Sequence, residues 1–333
     1  MSTIEETSPL GGSWGQTLRA YISIARPDHW FKNVFMVIGI VLALFYQPVL
    51  QATFSWLTAA WALAATCLLA SSYYVLNEIL DAPTDRSHPQ KRHRPIPSGL
   101  VKLPIAYAQW LVLGAISLSM AYAVNSAFFV AACLLWMMGI LYNVRPVRTK
   151  DVAYVDVLSE SLNNPLRLAL GWFVVTAAQI PPMSLMISYW MVGAFFMASK
   201  RFSEYRSIDD PSRAAAYRKS FAHYDDNRLL VSMFFYATAA ALFLGVFIIR
   251  YHLELILSVP LIAGFFAMYL RLALKQDSSV QAPERLYRER GLMVYLGVCL
   301  MTFLLLMFVR IHFLYDLFNV TPSELPPLWE IGG

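Results

Sequence analysis

Asn77, Asp81 and Asp85 stand at i, i+4 and i+8 in the stretch "NEILDAPTDRSHPQKRHRPIPSG". On a continuing helix all three share one face, and Tyr73 extends that face one turn deeper. Two carboxylates one turn apart suit a hard cation such as magnesium, which takes one or two protein carboxylates and leaves its other positions to water and substrate phosphates. The competing reading is a solvated helix end whose acids neutralise the bases that follow. Asn77 and the dense basic loop favour the metal. Pro83 is expected to kink or end the helix, turning Asp85 partly into the loop.

Arg86, Lys91, Arg92 and Arg94 supply the complementary chemistry. Arginine offers phosphate a planar fork and lysine a compact point charge. His88 and His93 lack helical ligand spacing and read as loop histidines. A second polar stripe, Asp156, Glu160, Asn163 and Arg167, follows i, i+4, i+7 and i+11 within an apolar segment. Ionisable residues inside a span face the bundle interior and mark a functional cavity. Asp156, nearest the mouth, is expected in chemistry or donor binding. Arg167 is expected in a buried network with Glu160 and Asn163. Lys200, Arg201 and Glu204 in "KRFSEYR" and Lys32 in "ARPDHWFKN" are further candidates for holding substrate, as are Arg148 and Lys150.

Membrane helices must position these residues. The chain is 333 residues long, 58% hydrophobic and only 14% charged, against about a quarter charged in soluble domains. Apolar runs near the bilayer-spanning length of about 20 residues lie at 30–50, 54–76, 104–123, 126–143, 157–178, 183–200, 229–249, 252–273 and 291–315. They predict an all-α integral membrane bundle of nine transmembrane helices. Lys and Arg concentrate in alternate connections, whereas "YQPVLQAT", "VNSA" and "AAQIPP" have none. The positive-inside rule then puts the N-terminus in the cytoplasm, the C-terminus outside and the polar mouth at the cytoplasmic face. The net charge of +5 is therefore a topology signal, and no nucleic-acid partner is expected. Cys67, Cys133 and Cys299 fall inside apolar runs and read as core residues. Residues 1–20 are expected to be a disordered cytosolic leader, 21–318 the membrane domain and 319–333 a short tail.

Over nearly its whole length the sequence resembles the UbiA superfamily of intramembrane prenyltransferases. That family's first acidic motif, NDxxDxxxD, stands here as "NEILDAPTD", with Glu78 in the second place. "RPDHWFKN", "DRSHPQKRHRPIPSG", "LYNVRPVRTKDVAYVDVL" and "KRFSEYR" resemble the polyprenyl-phosphate phosphoribosyltransferase branch, whose best-known activity is decaprenyl-phosphate phosphoribosyl transfer. The resemblance implies a nine-helix UbiA-type fold in the cell (inner) membrane, with Mg as cofactor and a role in making a cell-wall precursor. It also implies Asp81 and Asp85 as metal ligands, with Asn77 beside them and Lys91, Arg92 and Arg94 on the diphosphate. Prenyltransferase members usually carry a second DxxxD after helix six. Here "SIDDPSRAAAYRKSFAHYDDNRL" has paired aspartates without that spacing.

The expected partners are thus phosphoribosyl pyrophosphate and a polyprenyl phosphate lipid, with pyrophosphate released. The alternatives are prenyl transfer to an aromatic acceptor, and transport of an anionic lipid or metabolite.

Overall fold

The computed structural model describes residues 14–86, 91–208, 210–276, 278–281, 283–321 and 329–331. Helix α1 (Trp14–Ile24) leads through a 3₁₀ stretch, Pro27–Val34, into α2 (Phe35–Tyr46). The chain continues through α3 (Trp56–Asp85), α4 (Leu103–Val124), α5 (Ser126–Asn143), α6 (Val155–Ser161), α7 (Asn163–Val175) and α8 (Met183–Arg206). After α9 (Pro211–Tyr217) come α10 (Asp226–Tyr251), α11 (Val259–Ala273), α12 (Arg290–Met307) and α13 (His312–Phe318). Two short parallel strands, β1 (Val309–Ile311) and β2 (Trp329–Ile331), pair near the C-terminus.

Helix boundaries follow local chemistry. The Ser55 hydroxyl accepts from Thr58 N at the start of α3, and Asn125 Oδ1 accepts from Phe128 N at the start of α5. Both cap otherwise orphaned donors. Pro83 does not end α3, which runs on to Asp85 with Arg86 N bonded to Ala82 O. Pro83 forgoes its own bond to Ile79 O, and only two helical residues follow it, so little of the helix has to be realigned beyond the ring. Asp85 therefore stays on the helix, contrary to the expectation that it turns into the loop.

Among the described residues, seven segments are long and apolar enough to cross a membrane. The expected run 157–178 is instead two helices, α6 and α7, meeting at Leu162. Pro165 lies in the first turn of α7, where its missing N–H is tolerated, and it leaves α6 without a continuing bond. The expected run 183–200 extends as α8 to Arg206, whose charges lower its hydropathy. The last expected run stops at Met307, before β1.

The apolar faces close into four clusters. Ile24, Val75, Ile79 and Ala106 join α1, α3 and α4. Trp14–Ala20 is thus helical rather than disordered, since Ala20 and Ile24 give α1 an apolar face to bury. Leu69, Leu135 and Leu170 join α3, α5 and α7, while Leu42, Leu168 and Phe247 join α2, α7 and α10. Ala194, Ala198 and Tyr269 bind α8 to α11. Outward residues such as Val231, Phe234 and Leu242 are exposed, as lipid-facing positions require. All three cysteines are free.

Helices α2 and α7 cross backbone to backbone. A Cβ on Gly39 would collide with Leu168 O, and one on Gly171 with Met36 O. Small residues permit such contact between membrane helices, and this crossing holds the residues just before α2 against the first half of α7. Gly171→Ala is expected to lower the melting temperature in detergent by about 5 °C, since overpacking costs roughly 1–3 kcal/mol. Gly245→Ala, where a Cβ meets nothing within 4 Å, should leave it unchanged.

Candidate active site

The last turns of α3 carry the acids to a polar mouth. Asp81 Oδ1 accepts from Lys150 Nζ at 2.5 Å and from Arg148 Nη2 at 3.1 Å. Asp85 Oδ2 accepts from Arg94 Nη1 at 2.7 Å. Lys150 Nζ also donates to Asn143 Oδ1 at 2.8 Å. Asn77 is half-buried one turn below Asp81. Glu78 points elsewhere: it is 3% exposed and accepts from Ile96 N at 3.2 Å. This acid staples the "RPIPSG" loop to α3, and Gly99 turns that loop at φ +81° toward α4.

Two strained residues shape the loop that aims Arg148 and Lys150. Arg148 has φ 28° and Tyr154 φ 65°, conformations that cost a side-chain-bearing residue energy and persist only where the surroundings enforce them. Tyr154 N donates to Tyr224 Oη at 2.5 Å, and Thr149 Oγ1 donates to Ser159 Oγ at 2.9 Å. Burial lowers the pKa of Lys150, with the Asp81 carboxylate pulling it back up. Burial likewise lowers that of Lys91, opposed chiefly by Asp85. The Lys91 ammonium lies 5.4 Å from the centre of the Tyr217 ring. Arg92 Nε donates to His93 Nε2 at 3.2 Å.

A second set of acids is already spent inside the protein. Arg201, 2% exposed, reaches Asp156 at 3.1 Å, Glu160 at 2.8 Å and Glu204 at 3.0 Å. Asp156 is fully buried, and it also accepts from Tyr224 Oη at 2.8 Å and Ser220 Oγ at 3.2 Å, with Arg218 Nη2 at 3.3 Å. The structure places Asp156 inside the protein among four side chains, where the sequence reading expects it open at the mouth. Arg201 likewise turns its Nε, Nη1 and Nη2 to carboxylates of the protein. Glu204 also pairs with Lys200 at 3.9 Å. Tyr142 donates to Glu160 at 2.8 Å and accepts from Arg218 Nη2 at 3.1 Å. Arg218, Tyr224 and Tyr142 carry no signal in the sequence, because no helical spacing ties them to the acids they serve.

Deeper in the bundle, Arg167 Nε donates to Asn33 Oδ1 at 3.0 Å and Nη2 to Tyr73 Oη at 2.6 Å. Its third bond, 3.4 Å, goes to the backbone oxygen of Asn163. The expected network with Glu160 is therefore corrected: Glu160 turns toward Arg201. The break between α6 and α7 separates the two residues that straight-helix spacing aligns.

The aspartates beyond α8 also have structural work. Asp210 Oδ1 caps α9 through Ser212 N at 2.7 Å, and Asp225 Oδ1 caps α10 through Arg228 N at 2.8 Å. Asp226 lies 3.6 Å from Arg206. Asp209 and His88 fall outside the described residues. No three His, Cys, Asp or Glu side chains gather as a closed metal site among the described residues. What the mouth offers is the Asp81–Asp85 pair, which fits magnesium when substrate phosphates complete its shell. A separate cleft of about 380 Å³ between α5 and α7, lined by residues such as Val130, Leu134 and Phe173, is apolar and lies away from these charges.

The profile of the UbiA prenyltransferase family matches residues 34–296. Nodulation protein NoeC of Azorhizobium caulinodans is 29% identical over 231 residues, covering 68% of this chain and 71% of its own length. Decaprenyl-phosphate phosphoribosyltransferase of Mycolicibacterium smegmatis is 28% identical over 254 residues, covering 72% and 74%. A solved UbiA homologue from Archaeoglobus fulgidus, bound to DMAPP and Mg²⁺, shares the fold at TM-score 0.66 and 18% identity over 86% of this chain and 99% of that one.

The two sets of acids should respond differently to substitution. Asp81→Asn and Asp85→Asn are each expected to lower turnover by more than about a hundredfold, the scale of a lost transition-state charge interaction, with a smaller fall in melting temperature than Arg201→Met, because each amide keeps an acceptor oxygen for its cation. Arg201→Met strands three carboxylates, and losing one partner of a buried ion pair costs about 3–5 kcal/mol. It is expected to lower the melting temperature by more than about 5 °C. Melting curves beside rates for the three variants check the division.

Proposed function

Since the chain belongs to the UbiA prenyltransferase family, a family of membrane-embedded transferases, we propose that it transfers phosphoribose from phosphoribosyl pyrophosphate to a polyprenyl phosphate. The carrying observation is charge. Arg94, Arg148 and Lys150 bear directly on Asp85 and Asp81, and Lys91 stands within electrostatic reach of both. The described aspartates of the next acidic segment cap helices or pair with arginine. A donor with a diphosphate and a phosphate monoester, meeting an acceptor with another phosphate, needs such a cation excess. A prenyl diphosphate and an aromatic acceptor need less. The relatives named as decaprenyl-phosphate phosphoribosyltransferases support the same choice.

Asp81 and Asp85 would hold magnesium on the donor diphosphate, where the metal draws negative charge onto the leaving group. Arg148, Lys150 and Arg94 would exchange their carboxylate partners for phosphate oxygens. Asn77 would orient the Asp81 carboxylate or a water beside it, while Lys91 and Arg92 would cover the diphosphate from the loop. An acceptor phosphate oxygen forms a bond to ribose C1 as the C1–O bond to pyrophosphate breaks, and the bond pair leaves with pyrophosphate. The acceptor is already ionised, so no side chain has to remove a proton. We place the mouth at the cytoplasmic face of the cell membrane, with nine traverses, as the distribution of bases indicates.

The test is a donor competition with purified protein in detergent, magnesium and farnesyl phosphate. Label from phosphoribosyl pyrophosphate is expected in a chloroform-soluble, acid-labile product, and Asp81→Asn should abolish it. Transfer from a prenyl diphosphate to 4-hydroxybenzoate, with no label from phosphoribosyl pyrophosphate, would establish the aromatic prenyltransferase reading instead. Turnover without a membrane gradient would exclude a purely transport role.

A further inference from the structure

Arg167 is a buried cation without a counter-ion. Its side chain lies in the bundle interior at 5% exposure, and its three hydrogen bonds go to neutral acceptors: Asn33, Tyr73 and a backbone oxygen. It forms no ion pair with any described residue. A guanidinium has five N–H donors, so two remain after those three bonds. A charge held inside a membrane bundle without an opposite charge is costly, and such residues mark a binding path.

Lys32 deepens the imbalance. It neighbours Asn33, is only half exposed and also forms no ion pair among the described residues, while Arg167 and Lys200 are among its electrostatic neighbours. Glu160 also acts on Lys32 from a distance, but that carboxylate is bonded to Arg201 and Tyr142. Lys200 lies no closer than 3.9 Å to Glu204. Three cations thus gather beside one carboxylate, Glu160, whose Oε2 is already bonded to Arg201 and Tyr142. The Tyr189 hydroxyl on α8, within electrostatic reach of Arg167, is buried without a hydrogen-bond partner among the described residues.

The depth is informative. Tyr73, which holds Arg167, precedes Asp81 by eight residues on α3, a rise of about 12 Å at 1.5 Å per residue. With side-chain reach allowed for, that distance accommodates a metal-bound diphosphate, the ribose carbon and an attacking phosphate in line. We propose that Arg167, with Lys32 and Lys200, forms an anion subsite beneath the acidic pair that receives a phosphate monoester, the headgroup of the lipid acceptor. It rests on the phosphoribosyl-transfer reading. The Asn33 and Tyr73 bonds fix the guanidinium's orientation, and the close α2–α7 crossing at Gly39 and Gly171 keeps Asn33 in place.

The donor's own 5-phosphate has the same chemistry, and kinetics separate the two sources. In detergent with magnesium, Arg167→Gln is expected to raise the KM for farnesyl phosphate at least tenfold while leaving the KM for phosphoribosyl pyrophosphate within twofold. Arg167→Lys, which keeps the charge, should recover part of the loss. Direct titration of wild type should show farnesyl phosphate binding far more tightly than farnesol, with that preference lost in Arg167→Gln. An unchanged farnesyl phosphate KM in a folded Arg167→Gln protein would overturn the subsite. A rise in the phosphoribosyl pyrophosphate KM alone would move the subsite to the donor and overturn the assignment to the acceptor. If Arg167→Gln fails to fold, Lys32→Gln carries the same comparison: a raised farnesyl phosphate KM supports the subsite, and an unchanged one, or a rise for the donor alone, overturns it. Wild type with no phosphoribosyl transfer at all would instead refute the underlying reaction, a result distinct from either.

Discussion

The Arg201 guanidinium binds three carboxylates inside the bundle, and the shape of the polar mouth depends on that contact. Asp156 and Glu160 bring α6 to α8, and Glu204 locks the guanidinium to its own helix. From Asp156 the chain of contacts passes through the Tyr224 hydroxyl to the backbone of Tyr154. That residue closes the loop in which Arg148 and Lys150 turn toward Asp81. A buried ion cluster rarely adds net stability over apolar packing, but breaking it is expensive. Here it sets the position of two cations that lie outside it.

The acids of this mouth consequently fall into two kinds. Those around Arg201 are tied to one buried guanidinium, so a ligand that takes any of them must unpair that arginine. Asp81, whose side chain is 23% exposed, is held by Lys150 and Arg148, which are less deeply buried than Arg201. Incoming phosphates can take those cations over and free the carboxylate for a metal in the same exchange. Under the proposed reaction, metal and donor would then arrive as one unit. The spare cation charge continues below, at Arg167 and Lys32.

Much of this is legible in the sequence. The i, i+4, i+8 spacing places Asn77, Asp81 and Asp85 on one face because α3 is continuous through Pro83. Helical spacing fails at Asp156 to Arg167, where the discontinuity at Leu162 and Pro165 turns Glu160 toward Arg201 and Arg167 toward Asn33 and Tyr73. Residues that meet across loops give no periodic signal: Tyr224 and Arg218 reach Asp156 from a segment more than sixty positions away. Glu78 stands in the second place of the acidic motif in the sequence, and only the fold shows it holding the backbone of Ile96. Composition announces the membrane, yet it misses α1, whose amphipathic face is too short to register as a span.

The central claim is that the acidic pair becomes a metal site only with a diphosphate present. Calorimetric titration of phosphoribosyl pyrophosphate into purified protein, with and without magnesium, tests it most directly. Magnesium alone should bind weakly, in the millimolar range or above, and magnesium should tighten donor binding by at least about a hundredfold, near 2.7 kcal/mol. Tight binding of magnesium to the donor-free protein, or donor affinity indifferent to magnesium, would contradict the account.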